Sequence, residues 1–231
     1  MEQLPNGYML ELADGCFPLS TDSMLLAHFA KLPRNAQVLD LGSGCGTLGL
    51  LLCAKDANCC VTGLEFSEAA HTAALENIRR NTLDCRLKSI CADLRNLPAE
   101  MTGTFHCCIS NPPYFSGGPA SQAVPTARRD DFCPPEMLFQ TASRALRYGG
   151  DFFLVHKPEK LAQLIGCGAA VMLEAKNLTL IRHKDGGPIT LILLQFRKGG
   201  KSGLQIHERS LFSSCGEPTA YYKEVYHMQG D

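Results

Sequence analysis

The sequence predicts an α/β protein built on a seven-stranded, mostly parallel sheet with an antiparallel last strand and helices on both faces. Three observations predict it. The apolar run Ala36–Leu41 passes directly into Gly42-Ser43-Gly44-Cys45-Gly46 and then into Leu48–Ala54, the strand, glycine loop and helix that form the ligand-binding corner of a doubly wound sheet. Further short apolar runs alternate with helical patterns as far as His156. The chain then carries two last strands, Leu178–Arg182 and Ile189–Phe196, joined by the hairpin-like Lys184-Asp185-Gly186-Gly187.

Taken in order, Met1–Phe17 is mixed and turn-rich. Ser23–Lys31 fits a short helix that Ser20, Thr21 or Asp22 can cap and Pro33 ends. His28 on it has no second ligand at a matching spacing and reads as a core-edge histidine. The strand Ala36–Leu41 is followed by Cys59–Leu64, by a helix over Ser67–Asn81 with alanines at helical spacing, and by the strand Arg86–Ala92. Thr104–Ser110 is the fourth strand, and residues 117–132 form a long loop. Pro135–Arg147 is an amphipathic helix that Gly149-Gly150 ends. Asp151–His156 is the fifth strand, and Lys157-Pro158-Glu159 opens a helix reaching about Ile165.

One domain is expected over 1–231: an N-terminal extension, 1–35, covering the cofactor side, a core sheet over 36–200, and a C-terminal tail over 201–231. Apolar residues at 45% and charged residues at 19% argue against disorder. Apolar runs such as Leu48–Ala54 are far too short to cross a bilayer, and no basic segment precedes an apolar one at the N-terminus. A cytoplasmic protein is expected, with no membrane partner.

The twelve cysteines include no C-x-x-C pair, so no metal is expected and they read as small, reduced hydrophobes. A net charge of −1 excludes a globally basic nucleic-acid binder but leaves room for a local patch. From Arg182 to Arg209 the basic residues Arg182, Lys184, Arg197, Lys198, Lys201 and Arg209 outnumber Asp185 and Glu208, which fits either a phosphate-contacting face or a solvated surface.

The stretch richest in chemistry is Cys108-Ile109-Ser110-Asn111-Pro112-Pro113-Tyr114-Phe115. The prolines have no backbone N–H and hold the preceding residues out of the helical region, so the strand must stop there. A rigid lip remains, offering the Asn111 side-chain oxygen, main-chain carbonyls and the face of Tyr114. That set suits a planar ring with an exocyclic amine, and a proline turn after a buried strand is the other reading of the same residues.

The glycine loop narrows the cofactor. A dinucleotide fingerprint needs glycine at its sixth position, where Thr47 stands, and a P-loop needs a Lys-Ser/Thr ending that is missing. The form Asp40-Leu41-Gly42-Ser43-Gly44-Cys45-Gly46 instead resembles the S-adenosylmethionine loop of class I methyltransferases, where an anionic Asp40 suits a cofactor bearing an ammonium and a sulfonium. In that setting Glu65, 25 residues past Asp40, can accept both ribose hydroxyls or cap the next helix. Asp93, after the third strand, can take the adenine amine or be a surface carboxylate.

With Asn111-Pro112-Pro113-Tyr114, the loop resembles the amino-group methyltransferases that act on adenine N6, cytosine N4 or a glutamine side chain. Pro18–Ala27, Ala127-Arg128-Arg129-Asp130 and Val155–Leu161 are similar to the bacterial tRNA adenine N6-methyltransferases that act at position 37 of a valine tRNA. The likeness runs from about Phe17 to Phe196, and the family's Ala-Arg-His-Glu stands here as Ala127-Arg128-Arg129-Asp130.

The resemblance implies catalysis by Asn111, Pro112, Pro113 and Tyr114, and cofactor binding by Asp40, Gly42, Gly44, Gly46, Glu65, Asp93 and Asn111. Phe115 joins Tyr114 at the base, Arg128, Arg129 and Lys157 hold the tRNA backbone, and no metal is needed. A release-factor glutamine methyltransferase and a non-catalytic RNA-binding protein of the same fold are the alternatives. The first usually carries a helical domain ahead of the glycine loop, and too few residues precede Gly42 to form one.

Overall fold

In a computed structural model that describes residues 1–5, 7–14, 16, 18–112 and 134–226, the chain is organised by strand β3, Gln37–Leu41. Successive strand residues point to opposite faces, so Val38 joins one apolar cluster while Leu39 and Leu41 join another. The first cluster also takes Leu50 and Leu52 of α2 (Thr47–Lys55), Ile78 of α3 (Glu68–Arg80) and Leu25 of α1 (Thr21–Phe29). On the second, Phe139 of α4 (Pro135–Ala145) and Leu164 of α5 (Leu161–Ala170) lie against Phe152, Phe196 and Leu194. Both faces are therefore covered by helices, the arrangement a parallel sheet requires.

The remaining strands are β4 (Cys60–Glu65), β5 (Leu87–Cys91), β6 (Phe105–Ser110), β7 (Leu146–His156), β8 (Leu173–Lys184), β9 (Ile189–Lys198) and β10 (Gln205–Phe212). They form one sheet in the order β10-β8-β9-β7-β6-β3-β4-β5. Only β9 is antiparallel to its neighbours β7 and β8 among these pairings; all the others are parallel. A separate short hairpin pairs β1 (Glu2–Gln3) with β2 (Met9–Leu10).

The sheet thus has eight strands where the sequence predicts seven. The eighth, β10, comes from the segment expected as a tail and pairs along its length with β8, from Gln205↔Asn177 to Phe212↔Lys184. A last helix, α6 (Ala220–Val225), follows it, capped by Thr219 and anchored by buried Val225. The glycine pair expected to end α4 lies inside β7 instead. The helix stops at Ala145 because buried Leu146 is already extended. Gly149, at φ +78°, and Gly150 then form a bulge where the β6–β7 register jumps from Phe105↔Leu146 to Cys107↔Asp151. A Cβ on Gly150 would stand 2.9 Å from the His106 carbonyl oxygen, so this close approach needs glycine.

The antiparallel pair β8–β9 carries the turn at Lys184-Asp185-Gly186-Gly187, and Ser20 caps α1 through its hydroxyl, as expected. The helix expected from Lys157 begins as a 3-10 turn, Pro158–Lys160, and continues as α5. All the described cysteines are free; Cys45, Cys53, Cys59, Cys107, Cys108 and Cys167 are buried, whereas Cys85, Cys91 and Cys215 are exposed. Among the described residues no helix is long and apolar enough to cross a membrane.

Candidate active site

Five parallel strands, β7, β6, β3, β4 and β5, end at one rim of the sheet, where Asp40, Gly42, Gly44, Gly46, Glu65, Asp93, Asn111, Pro112 and Lys157 of the predicted site are found. Gly42, Gly44 and Gly46 all have left-handed φ values of +73°, +54° and +85°, a region that L side chains rarely enter. That conformation turns the chain sharply from β3 into α2. The N–H groups of Gly42 and Ser43 both donate to the Leu64 carbonyl, at 2.9 and 3.2 Å, fastening the loop to β4. On its other side the buried Ser110 hydroxyl donates to the Leu41 carbonyl at 2.7 Å. Asn111 therefore begins beside the glycine loop, because β6 pairs directly with β3 and this bond joins their ends.

Glu65 is engaged at both oxygens. One accepts from the Gly44 N–H at 2.8 Å, the other from the Ser67 N–H at 2.7 Å. The carboxylate thus holds the loop open while it organises the start of α3, whose cap is Ser67. Each oxygen keeps a further lone pair for a hydroxyl donor. Asp93, two residues past β5, lies farther along the same rim. Its carboxylate accepts from the Arg95 Nε, at 2.8 and 3.0 Å, and from the Arg95 backbone N–H at 2.8 Å. The guanidinium holds the Asp93 carboxyl below its ordinary range.

Asp40 is the anomaly of the site. It is 1% exposed, and neither carboxylate oxygen has a hydrogen-bond partner among the described residues. Burial, and then the charge on Glu65, push its pKa to about 8. The hydroxyl of Ser43 in the loop is also buried without a partner among the described residues. A buried carboxyl lacking donors is unfavourable unless a cation or donor arrives to satisfy it. An open glycine loop above such a carboxylate fits a ligand that brings its own positive, hydrogen-bonding group.

Asn111 donates from Nδ2 to the hydroxyl of Ser23 on α1, at 3.0 Å. Half-buried Pro112 is the last described residue of the lip. Pro113, Tyr114, Phe115, Arg128 and Arg129 lie outside the described residues. Lys157 follows the end of β7, on the Asn111 side of the rim, since Leu154 pairs with Ser110. Its N–H donates to Nδ1 of buried His156 at 2.8 Å, which places the imidazole proton on Nε2. Burial lowers the His156 pKa and keeps the ring neutral.

The basic residues of the last third do not share one face. Arg197 pairs with Asp151 at 2.9 and 3.0 Å, and Lys198 donates to the carbonyls of Ser143 and Leu146, all at the end of the sheet away from the rim. Arg182 is near the rim but pairs with Glu208 at 3.4 Å. Among the described residues no group of histidine, cysteine or acidic side chains is placed to hold a metal.

The sequence reading missed Ser23 and Asn77. Buried Asn77 accepts from the Glu11 N–H at 2.8 Å and donates to the carbonyls of Glu11, at 2.8 Å, and Cys45, at 2.9 Å. One turn on, Asn81 makes the same pair of bonds to the backbone of Met9, at 2.8 and 2.7 Å. The N-terminal segment is thereby tied to α3 and to the glycine loop. Two asparagines four apart on an alanine-rich helix were the available signal.

Residues 20–173 match the family model described as methyltransferase small domain. A tRNA1(Val) (adenine(37)-N6)-methyltransferase of Photobacterium profundum is 27% identical over 215 residues, covering 87% of this chain and 88% of that protein. The protein of the same name in Bacteroides fragilis is 29% identical, covering 77% and 76%. Among solved structures, an Agrobacterium tumefaciens protein described as a predicted O-methyltransferase superposes with a TM-score of 0.75 at 22% identity, over 90% of this chain and 96% of that one. A geranyl diphosphate C-methyltransferase of Streptomyces coelicolor, solved with S-adenosyl-L-homocysteine, superposes at 0.55 with 13% identity, over 77% of each chain. These last two likenesses concern the fold.

Proposed function

Because the chain belongs to the methyltransferase small-domain family, we propose that it methylates N6 of an adenine in tRNA, at position 37 of a valine tRNA, with S-adenosylmethionine as cofactor. The observation that supports the reading is the nearness of two unlike features at one rim of the sheet. A buried carboxyl without a donor among the described residues, Asp40, stands just ahead of the glycine loop, and the start of that loop is fastened beside Asn111. The first is a demand for a cationic ligand, and the second is an acceptor suited to an amine. The names borne by its relatives support adenine in tRNA as the target.

When bound, S-adenosylmethionine supplies an electrophilic methyl group on a sulfonium. Asp40 is the group to receive the ammonium of its methionine part, and the spare lone pairs of Glu65 suit the ribose hydroxyls. Adenine's amine is a poor nucleophile because its lone pair is delocalised into the ring. Acceptors at Asn111 Oδ1 and the Pro112 carbonyl favour a more tetrahedral nitrogen and offset the positive charge that grows on it. Tyr114 and Phe115 are the residues to clamp the ring, and alignment of the held amine supplies much of the rate. Lys157, on the same side of the rim, suits a backbone phosphate, and the resemblance gives Arg128 and Arg129 the same part. A target in a single-stranded anticodon loop needs less unstacking than one in a duplex.

Mass spectrometry of digested tRNA from cells with and without the gene tests the assignment. Loss of one N6-methyladenosine from valine tRNA is expected. Unchanged N6-methyladenosine would refute the substrate, even with cofactor binding intact.

A further inference from the structure

Ser23 sits in the first turn of α1, buried, and is 88 positions from Asn111 in the chain. Its hydroxyl accepts the Asn111 Nδ2–H at 3.0 Å and lies 3.3 Å from the hydroxyl of Ser20. Ser20 is the helix cap, and its oxygen accepts the Ser23 backbone N–H at 3.2 Å. Either hydroxyl can donate in that contact; where Ser23 donates to Ser20, its lone pairs face Asn111 and the bonds run from Asn111 Nδ2–H to Ser23 and from Ser23 O–H to Ser20. On the far side of the same turn, the Thr21 hydroxyl meets the Tyr226 hydroxyl at 3.0 Å, so the C-terminal segment braces the mount.

We infer that Ser23 is a positioning residue for the transfer reaction: it fixes which end of the Asn111 amide faces away from α1. An asparagine amide turned by half a rotation would present N–H donors where an acceptor is needed, and an incoming amine would meet repulsion in place of a hydrogen bond. Ser23 selects the working rotamer without touching substrate. The inference rests on the role proposed above for Asn111 and adds to it a residue on another element.

The test compares Ser23→Ala, Ser23→Cys and Ser23→Thr with the wild type, using total tRNA from cells lacking the gene. For Ser23→Ala, kcat is expected to fall about 10- to 100-fold. KM for tRNA, and affinity for S-adenosylmethionine by calorimetry, should stay within about threefold of the wild type, a shift that looser orientation alone leaves small. Ser23→Thr, which keeps a hydroxyl, should recover most of kcat. Ser23→Cys, close in shape but a weak acceptor, should behave like the alanine variant and takes its place if that one does not fold. Unchanged kcat in the alanine and cysteine variants overturns the inference. A loss shared with cofactor affinity, or not recovered by threonine, overturns it too. If the wild type methylates no tRNA, it is the substrate reading that fails, and the bond is then read by NMR. Slow exchange of the Asn111 side-chain amide protons that vanishes in Ser23→Ala supports Ser23; equal exchange in both refutes it.

Discussion

Replacing Asp40 by asparagine should make the cofactor-free protein more stable and the site useless. In the unfolded chain this carboxyl ionises near its ordinary value of 3.8, whereas in the fold burial and Glu65 keep it protonated up to about 8. The folded-state pKa is raised, so the stability associated with this group is full below about pH 4 and is lost as the pH climbs through 8. At pH 7 the gap of roughly three pH units corresponds to about 4 kcal/mol, at about 1.4 kcal/mol per unit. An asparagine carries no charge to desolvate, but its amide brings donors that also lack partners, a penalty of about 1–3 kcal/mol. The net gain is then about 1–3 kcal/mol, or about 3–10 °C in melting temperature for a chain of this size. Differential scanning fluorimetry of both proteins without cofactor, from pH 5 to pH 8.5, should show a gap that widens with pH. S-adenosylmethionine binding should be lost in the variant. In the wild type below pH 8 it should release a proton, visible as a buffer-dependent calorimetric heat. A variant that melts at or below the wild type throughout, with no pH trend, would refute the buried, unsatisfied carboxylate.

Three further outcomes follow from the geometry. Asn111→Ala should abolish methyl transfer while leaving S-adenosylmethionine affinity within a few fold; calorimetry beside a turnover assay separates the two, and joint loss would make Asn111 structural. Asn77→Ala orphans the backbone groups of Glu11 and Cys45 that it now satisfies, and should remove about 1–3 kcal/mol while speeding amide exchange at residues 9–13. Gly49→Ala would set a Cβ 2.5 Å from Leu87 Cδ1; the overpacking, about 1–3 kcal/mol, exceeds the helix-propensity gain of about 1 kcal/mol, so urea denaturation should show a net loss.

The part of the fold nearest the site was the most legible. β3, the glycine loop and α2 are contiguous, and loop chemistry together with an abrupt change of period reports them locally. The long β8 was half recognised, since Leu173–Asn177 mixes Glu174, Lys176 and Asn177 into a half-buried edge that lacks strand alternation. β10 was missed for the same reason: Gln205, His207, Glu208 and Arg209 are exposed, and the strand is specified by its pairing with β8, not by its own apolar pattern. Gly149-Gly150 misled because a helix cap and a strand bulge ask the same left-handed freedom of glycine. At the site, the sequence could nominate Asp40, Glu65, Asp93 and Asn111 by their places at or just past the ends of strands. It could not reveal that Asp40 lacks a partner among the described residues while Asp93 already has Arg95, nor that Asn111 leans on Ser23, because those are facts of how side chains are placed in the fold.

The central claim, that one crevice brings a methyl donor to the N6 amine of a loop adenine, is tested most directly by reconstitution. Purified protein would be incubated with S-adenosylmethionine labelled in the methyl group and an unmodified valine tRNA transcript, alongside a transcript with guanine at position 37, and the digested products resolved. The account predicts labelled N6-methyladenosine from the first transcript and none from the second. Label appearing equally in both, or in a nucleoside other than N6-methyladenosine, would contradict it.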